Sequence, residues 1–302
     1  MLARGKALAW ISLFVVYLVW GSTYLGIRVA VASIPPYLMT GTRYVVAGSL
    51  LFALQWLFTK EKPPWPTREQ LKRIAITAVL LLVIGNGLLC LVEIRMESGT
   101  AALLIASTPI WMVLLDSLRL RQMPSAVAIA GMVVGTLGIV ALVGKSTSHG
   151  DALLSALLLL ASLSWAAGSI YASAGKHHPF TASLEMTMGG CFSLVVALLS
   201  GEVGHFNLAA VTAPSLWGML WLITAGAMVG YSAYAYAVRS LPALTVATYG
   251  YVNPIVAVIL GVLILREPVT WRIVAGGAAI IASVALILLG SRRTAEEAVA
   301  GT

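Results

Sequence analysis

Several polar and aromatic side chains that could bind a solute lie inside long apolar segments of this chain. Trp20 and Trp165 each fall near the middle of such a segment, and so does Asn86. At that depth an indole or amide N–H needs a hydrogen-bond partner, which either a neighbouring helix or a polar cavity supplies. The three residues are therefore either packing groups between helices or part of a cavity wall, and we favour the cavity.

Two prolines occupy similar central positions. Pro109 and Pro254 lie near the centres of their segments, where proline removes a backbone hydrogen bond and kinks a helix. We interpret both as hinges, and a static kink is the alternative. Polar residues stand beside each proline, and with the residues above they complete a predicted solute-binding set: Trp20, Asn86, Thr108, Trp165, Tyr249 and Asn253.

Arg43 is the one basic residue well inside an apolar segment. Charges within a membrane are usually functional, so its guanidinium could meet a solute carboxylate or act as a gate. Alternatively, the side chain extends to the membrane surface, which needs a reach of only about 10 Å. Asp116 and Glu185 lie nearer the ends of their segments, and we expect both carboxylates to be solvated.

Residue patterns typical of catalysis are missing from the sequence. It contains no His-Glu-x-x-His zinc motif, and its four histidines fall between the apolar segments, where His177-His178 suggests a solvated turn. Gly144-Lys145-Ser146 imitates the end of a phosphate-binding loop, but Gly138 stands one residue too far away. We therefore predict no enzyme activity, no cofactor and no metal, with an intramembrane enzyme as the less favoured alternative.

The composition predicts the elements that position these residues. Of 302 residues, 60% are apolar and 10% are charged, against about 25% charged in soluble domains. A water-soluble enzyme or nucleic-acid module is thereby excluded. Because lipid cannot satisfy open backbone groups, the apolar segments must be helices. We predict an all-α integral membrane protein with ten transmembrane helices at about 7–30, 36–59, 74–95, 98–119, 124–144, 151–174, 180–201, 214–238, 242–265 and 269–290.

The basic residues predict the orientation of these helices. With the N-terminus inside, thirteen of the nineteen Lys and Arg residues fall on the cytoplasmic side and five on the outer side. Cytoplasmic loops usually carry such an excess, so the net charge of +8 does not indicate nucleic-acid binding. We expect a multi-pass protein of the plasma (inner) membrane with both termini cytoplasmic.

A shift of 145 residues superimposes the two halves of the chain. It places Trp20 on Trp165, Gly85 on Gly230 and Pro109 on Pro254, without gaps. We divide the chain into repeats 1–146 and 147–302, each with five helices. An odd number of helices inverts the second repeat, and inverted repeats are typical of transporters that alternate access to a central site.

The chain resembles the drug/metabolite transporter superfamily, in particular its ten-helix EamA branch. The matching residues are Leu18-Val19-Trp20-Gly21-Ser22, Pro254-Ile255, Leu263-Ile264-Leu265-Arg266-Glu267 and Gly276. The resemblance covers nearly the whole chain and implies an exporter of amino acids or related metabolites, similar to the YddG-type exporters. Two residues depart from the family pattern: Arg266 replaces a turn glycine, and Gln122 stands where the first repeat would carry the glutamate.

We therefore predict an exporter of amino acids, with aromatic or other apolar side chains slightly favoured. The expected partners are a small-molecule substrate and the lipid bilayer, with no nucleic acid. Because small residues such as Gly131 and Gly135 serve close packing within one chain, we expect a monomer. No carboxylate lies at mid-depth, which favours facilitative transport. Proton-coupled export of drugs or other metabolites is the alternative.

Overall fold

The computed structural model describes residues 2–61, 63–121, 123–143, 149–173, 178–241, 246 and 248–300. Within these ranges the chain forms ten long helices and no strand, which confirms the predicted all-α fold. The helices are α1 Leu2–Ala30, α2 Pro36–Phe58, α3 Arg68–Val92, α4 in two parts (Ser98–Ile105 and Thr108–Leu120), α5 Ala126–Val143, α6 His149–Ser173, α7 Thr181–Leu199, α8 in three consecutive parts (Ala213–Trp221, Leu222–Val229 and Gly230–Ser240), α9 Tyr249–Leu265 and α10 Trp271–Ala300.

The lengths of these helices suit a membrane. Eight of the described helices are long and apolar enough to cross one, and Ala126–Leu142 and Tyr249–Leu265 are shorter apolar helices. Spanning a bilayer takes about 17–25 residues, so the two shorter helices stand at the lower limit. Because the number of helices is even, both ends of the chain lie at the same end of the bundle, which we call the terminal end; the other is the far end.

The structure differs most from the predicted helices at α10, which continues to Ala300 rather than ending near residue 290, and at α3 and α4. α3 begins at Arg68 rather than near residue 74, because the Thr67 hydroxyl accepts from the Gln70 N–H (3.3 Å) and the Gln70 side chain accepts from the Thr67 N–H (2.8 Å). α4 is broken rather than continuous. Pro109 lacks an N–H and its ring clashes with the carbonyl four residues earlier, so it stands in the first turn of a new helix, whereas Pro254 lies inside α9.

Wide helical turns occur at corresponding places in α3 and α8. Val79–Asn86 and Leu222–Val229 both have π-helical hydrogen bonding. Such turns alter the backbone hydrogen-bond pattern and often occur at functional sites. The Leu80 carbonyl accepts from Ser164 Oγ of α6 (2.7 Å), and the Gly226 carbonyl accepts from Trp20 Nε1 of α1 (3.2 Å). The first helix of each half thus donates to the wide turn of the other half.

The helix packing also crosses between the two halves of the chain. α1 packs on α8 and α9, and α6 packs in the corresponding way on α3 and α4. α2 pairs with α7, and α5 pairs with α10. Each proposed repeat therefore buries its first helix against the third and fourth helices of the other repeat. The boundary between residues 146 and 147 stays a prediction about the sequence repeat, since the two halves interlock.

Glycines allow the paired helices to approach closely. Gly135 of α5 lies against Ser283 and Ile110, and Gly131 lies against Ile287 and Leu286 of α10. The expectation that these small residues pack within one chain is confirmed. At the α2–α7 crossing, a Cβ on Gly190 would lie 2.5 Å from the Val45 backbone nitrogen. Backbone atoms cannot move aside as a flexible side chain can.

Gly190→Ala is expected to lower the free energy of unfolding by about 1–3 kcal/mol, the usual cost of overpacking a tight contact. Thermal unfolding of the purified protein in detergent measures the effect. Gly204→Ala is the matched control, because a Cβ at Gly204 meets no atom within 4 Å. Equal melting temperatures for the two variants would contradict the packing of α2 against α7 described above.

Candidate functional site

Three tyrosine rings surround Trp20 in the middle of α1 and form an aromatic cluster with it. Its ring centroid lies 5.0 Å from that of Tyr234, 5.3 Å from that of Tyr249 and 6.4 Å from that of Tyr231. α8 supplies two of these tyrosines and α9 supplies Tyr249. Such edge and tilted contacts are favourable for aromatic pairs. The structure thus brings together two predicted residues, Trp20 and Tyr249, and adds Tyr231 and Tyr234, which the sequence analysis missed.

Asn253 links the aromatic cluster to the backbone of α1. Its side-chain nitrogen donates to the Tyr17 carbonyl (3.2 Å) and the Tyr249 carbonyl (3.3 Å) in the amide orientation that satisfies both. The Tyr17 hydroxyl also forms a short hydrogen bond with Thr248 Oγ1 at the start of α9. The Asn253 side chain is 7% exposed. Its amide therefore holds α9 against α1 in this conformation.

A corresponding group of hydroxyls surrounds the break in α4. Ser162 Oγ of α6 lies 2.9 Å from Ser107 Oγ and 3.0 Å from Thr108 Oγ1. Ser107 and Thr108 also donate to the Leu104 and Ile105 carbonyls that the break exposes (2.7 and 2.6 Å). Hydroxyls thus satisfy the opened backbone.

The sequence repeat relates these two groups of contacts. Thr108 and Asn253 correspond under the shift of 145, and so do Ser162 and Tyr17. Thr108 contacts Ser162, and Asn253 contacts Tyr17. The residue beside each hinge proline therefore contacts the first helix of the opposite half, at the same position of the repeat. Ser162 was missed by the sequence analysis, although applying the repeat to Tyr17 would have located it.

Trp165 of α6 packs against Gly85 of α3. A Cβ on Gly85 would stand 3.2 Å from Trp165 Cε3, and a Cβ on Gly230 would stand 2.5 Å from Trp20 Nε1. These are the residue pairs that the sequence repeat superimposes. Asn86, the next residue in α3, is 9% exposed and accepts a weak hydrogen bond from Cys90 Sγ (3.5 Å).

Arg43 lies buried on α2 instead of extending out of the protein. Its side chain is 4% exposed, and its guanidinium carbon stands 4.7 Å from the centre of the Tyr44 ring. Nε and Nη1 have no hydrogen-bond partner among the described residues. Nη2 lies 3.3 Å from where a Cβ on Gly226 would be, beside the carbonyl that binds Trp20. Arg43 and Trp20 therefore both lie against Gly226 in the wide turn of α8.

The expectation that Glu185 is solvated is wrong. Its side chain is 8% exposed, and its carboxyl group lies near the Tyr231 hydroxyl. Glu185 lines a small cavity at the terminal end, of about 280 Å³ including its open mouth, together with Gln70, Arg73, Ile74, Thr77, Ala172, His178 and Thr181. The enclosed space within it is about 20 Å³, which is enough for a water molecule and too small for a substrate.

Two other expectations about polar groups have different outcomes. Asp116 is 48% exposed beside Arg119, with an N–O distance of 2.9 Å, as expected for a solvated carboxylate. His178 is buried instead of lying in a solvated turn, because Nδ1 accepts from the Phe180 N–H (3.2 Å) and Nε2 lies 2.8 Å from the Pro64 carbonyl. His177 lies outside the described residues.

Comparisons with known proteins match both halves of the chain to one family model. The model of the EamA-like transporter family matches residues 7–144 and again residues 153–289. The chain is 33% identical over 262 residues to the "Uncharacterized inner membrane transporter YedA" of Escherichia coli K12, covering 83% of this chain and 80% of that protein. It is 23% identical over 297 residues to a "Probable amino-acid metabolite efflux pump" of Salmonella typhimurium, covering 92% and 93%.

A solved crystal structure shares the fold. It superimposes with a TM-score of 0.65 at 15% sequence identity, covering 95% of this chain and 99% of the other. At that identity the likeness concerns the arrangement of the helices and not the residues that contact a substrate.

Proposed function

Since the chain belongs to the EamA-like transporter family and is a membrane transporter, we propose that it exports amino acids and related small metabolites by alternating access. The proposal includes a preference for aromatic or other apolar side chains, an inner-membrane location and cytoplasmic termini. The name of the Salmonella relative supports the substrate class, and that of the Escherichia coli relative supports the location.

The observation that carries this proposal is the buried guanidinium of Arg43. A charged group at 4% exposure, with Nε and Nη1 unpartnered among the described residues, is costly unless an anion joins it. A substrate carboxylate would supply two charge-assisted hydrogen bonds in the planar geometry that guanidinium prefers. We therefore assign Arg43 to the substrate carboxylate.

The aromatic cluster supports an apolar side chain on the substrate. Trp20 binds the Gly226 carbonyl (3.2 Å), and Arg43 Nη2 lies against the same glycine, so Gly226 is a shared neighbour of the charged and aromatic groups. A carboxylate held by Arg43 would place the rest of the molecule beside rings, which favour apolar or aromatic groups and also attract an ammonium group. Asn86, Thr108, Trp165, Tyr249 and Asn253 stay in the proposed site as residues whose contacts change during the cycle.

The proposed motion breaks contacts that are formed in this structure. The break before Pro109 in α4 and the internal Pro254 of α9 mark the points where backbone bonding is weakest. We assign both prolines to hinges in these helices. Rocking at these points would separate Thr108 from Ser162 and Asn253 from Tyr17.

The buried carboxylate of Glu185 favours a second candidate for the mode of transport. Facilitative export is consistent with the lack of a carboxylate at mid-depth in the predicted helices, as argued above. Glu185, however, joins a cavity at the terminal end to Tyr231 of the aromatic cluster. Buried carboxylates in that position serve proton relays in other transporters. Proton-coupled export of amino acids, drugs or other metabolites is therefore the second candidate.

Uptake of labelled amino acids into proteoliposomes tests the proposal, with and without an imposed pH gradient. We expect saturable uptake of aromatic or other apolar amino acids without the gradient. Uptake that requires the gradient and is lost in Glu185→Gln would establish the second candidate. Folded protein that transports no amino acid under either condition would overturn the substrate class.

A further inference from the structure

Glu93 is a fully buried carboxyl group at the far end of the bundle. It lies in the turn after α3, outside the membrane-spanning helices, and is 0% exposed. Neither carboxyl oxygen has a hydrogen-bond partner among the described residues. Arg28 of α1 donates a short hydrogen bond to the main-chain carbonyl of Glu93 and not to its carboxyl group. A side chain buried in this way must be neutral or must acquire a cation.

A second glutamate beside Glu93 closes the far end. Glu267, in the turn between α9 and α10, accepts hydrogen bonds from Ser98 N (2.8 Å), Ser98 Oγ (2.8 Å) and Gly99 N (3.1 Å). These groups form the N-terminus of α4, where a negative charge is favourable. Gly261 leaves no room for a Cβ against the Glu267 carboxyl group. Glu267 therefore ties the α9–α10 turn to α4.

The surroundings of Glu93 favour its protonated form. Burial raises its pKa well above the usual range, the neighbouring Glu267 charge raises the pKa further, and Arg28 lowers it less. Tyr24 of α1 and Cys90 of α3 also face Glu93. Of these groups only Arg28 carries a positive charge, and it is directed at the backbone.

The sequence repeat provides no equivalent titratable cluster at the terminal end. Under the shift of 145, Arg28, Glu93, Ser98 and Glu267 correspond to Ser173, Val238, Ala243 and Gln122. None of these counterparts carries a charge near neutral pH. A device that depends on Glu93 would therefore act on one end of the transporter and not on the other.

We propose that Glu93 is a proton-binding site whose protonation holds the far end of the transporter closed. The inference rests on the alternating access proposed above. When the α3–α4 and α9–α10 turns separate, water reaches Glu93 and the carboxyl group ionises. Because the closed state binds the proton more tightly, acid favours closure, and the ratio of closed to open molecules falls by up to tenfold for each unit of rising pH.

The test measures the opening of the far end without any substrate. Nitroxide labels are placed at Ile94→Cys and Val269→Cys, which are 42% and 52% exposed on the two turns, in the full-length chain with Cys191→Ser. Dipolar spectroscopy then gives the distance between the labels from pH 5.5 to 8.5. We expect the short-distance population to decline as pH rises. Glu93→Gln should stay closed at every pH.

Glu97→Gln is the matched control, because Glu97 lies in the same turn and is partly exposed. It should keep the pH dependence, whereas Glu267→Gln should reduce the closed population at all pH values. The same pH dependence in Glu93→Gln, or a distance that does not change with pH, would overturn the proposal. Glu93→Gln imitates the protonated form, so a melting temperature below that of the wild type at pH 8 would overturn it too. Failure here leaves the transport assay unaffected, since no amino acid is present.

Discussion

Replacing Arg43 with methionine is expected to reduce transport of carboxylate substrates by at least about 100-fold. Two charge-assisted hydrogen bonds contribute about 1.5–3 kcal/mol each, and about 1.4 kcal/mol corresponds to a factor of ten in affinity. The guanidinium is 4% exposed, so no water replaces the lost contacts. Initial uptake rates in proteoliposomes at equal amounts of folded protein measure the effect. Arg43→Lys keeps the charge but not the planar guanidinium, so its uptake rate should lie between those of the wild type and Arg43→Met.

The same variant should not destabilise the protein. Replacing an unpaired buried charge by an apolar side chain of similar volume removes the cost of keeping that charge away from water. Arg43→Met should therefore melt at or above the wild-type temperature while losing stabilisation by added amino acid. Arg119→Gln is the control, since Arg119 is 47% exposed in a surface ion pair and should leave transport unchanged. A variant that melts lower and still transports would show that Arg43 is structural.

Trp20→Ala is expected to abolish transport and to lower the free energy of unfolding by about 3–5 kcal/mol, the usual cost of deleting a tryptophan from a packed site. Its ring contacts three tyrosines of α8 and α9, and its indole binds the Gly226 carbonyl. Because loss of fold and loss of binding coincide in this variant, Trp20→Phe is the sharper measurement. Phenylalanine keeps a ring but removes a hydrogen bond of about 1 kcal/mol, so apparent affinity should fall about fivefold.

Trp165→Phe is the matched control for Trp20→Phe. The two tryptophans correspond in the repeat and pack on equivalent glycines, Gly85 and Gly230. The aromatic cluster, however, surrounds Trp20. We therefore expect Trp165→Phe to change affinity less than Trp20→Phe does. Equal effects would mean that both tryptophans contribute equally, and would contradict the assignment of the substrate to the α1–α8–α9 side.

The amino-acid sequence by itself determined the class of fold, the number of helices and the repeat. A chain this apolar is suited to a membrane and not to water. Because lipid admits few backbone structures, hydropathy and segment length are enough to locate ten helices. Tryptophan and glycine residues that match at the constant shift of 145 also predicted equivalent contacts in the two halves. The superposition of Trp20 with Trp165 and of Gly85 with Gly230 corresponds to two tryptophan–glycine contacts in the structure.

Burial, in contrast, was decided by the tertiary structure. In a membrane the lipid-facing and protein-facing sides of a helix are both apolar, so periodicity does not show which side a residue occupies. The position of a residue within its apolar segment did not show that Arg43 is buried, or that Glu185 is buried while Asp116 is half exposed. Nor did it show that Glu93 lies beside Glu267. Those outcomes depend on helices far apart in the sequence. They also depend on the break in α4 and the wide turns of α3 and α8, which hydropathy does not register.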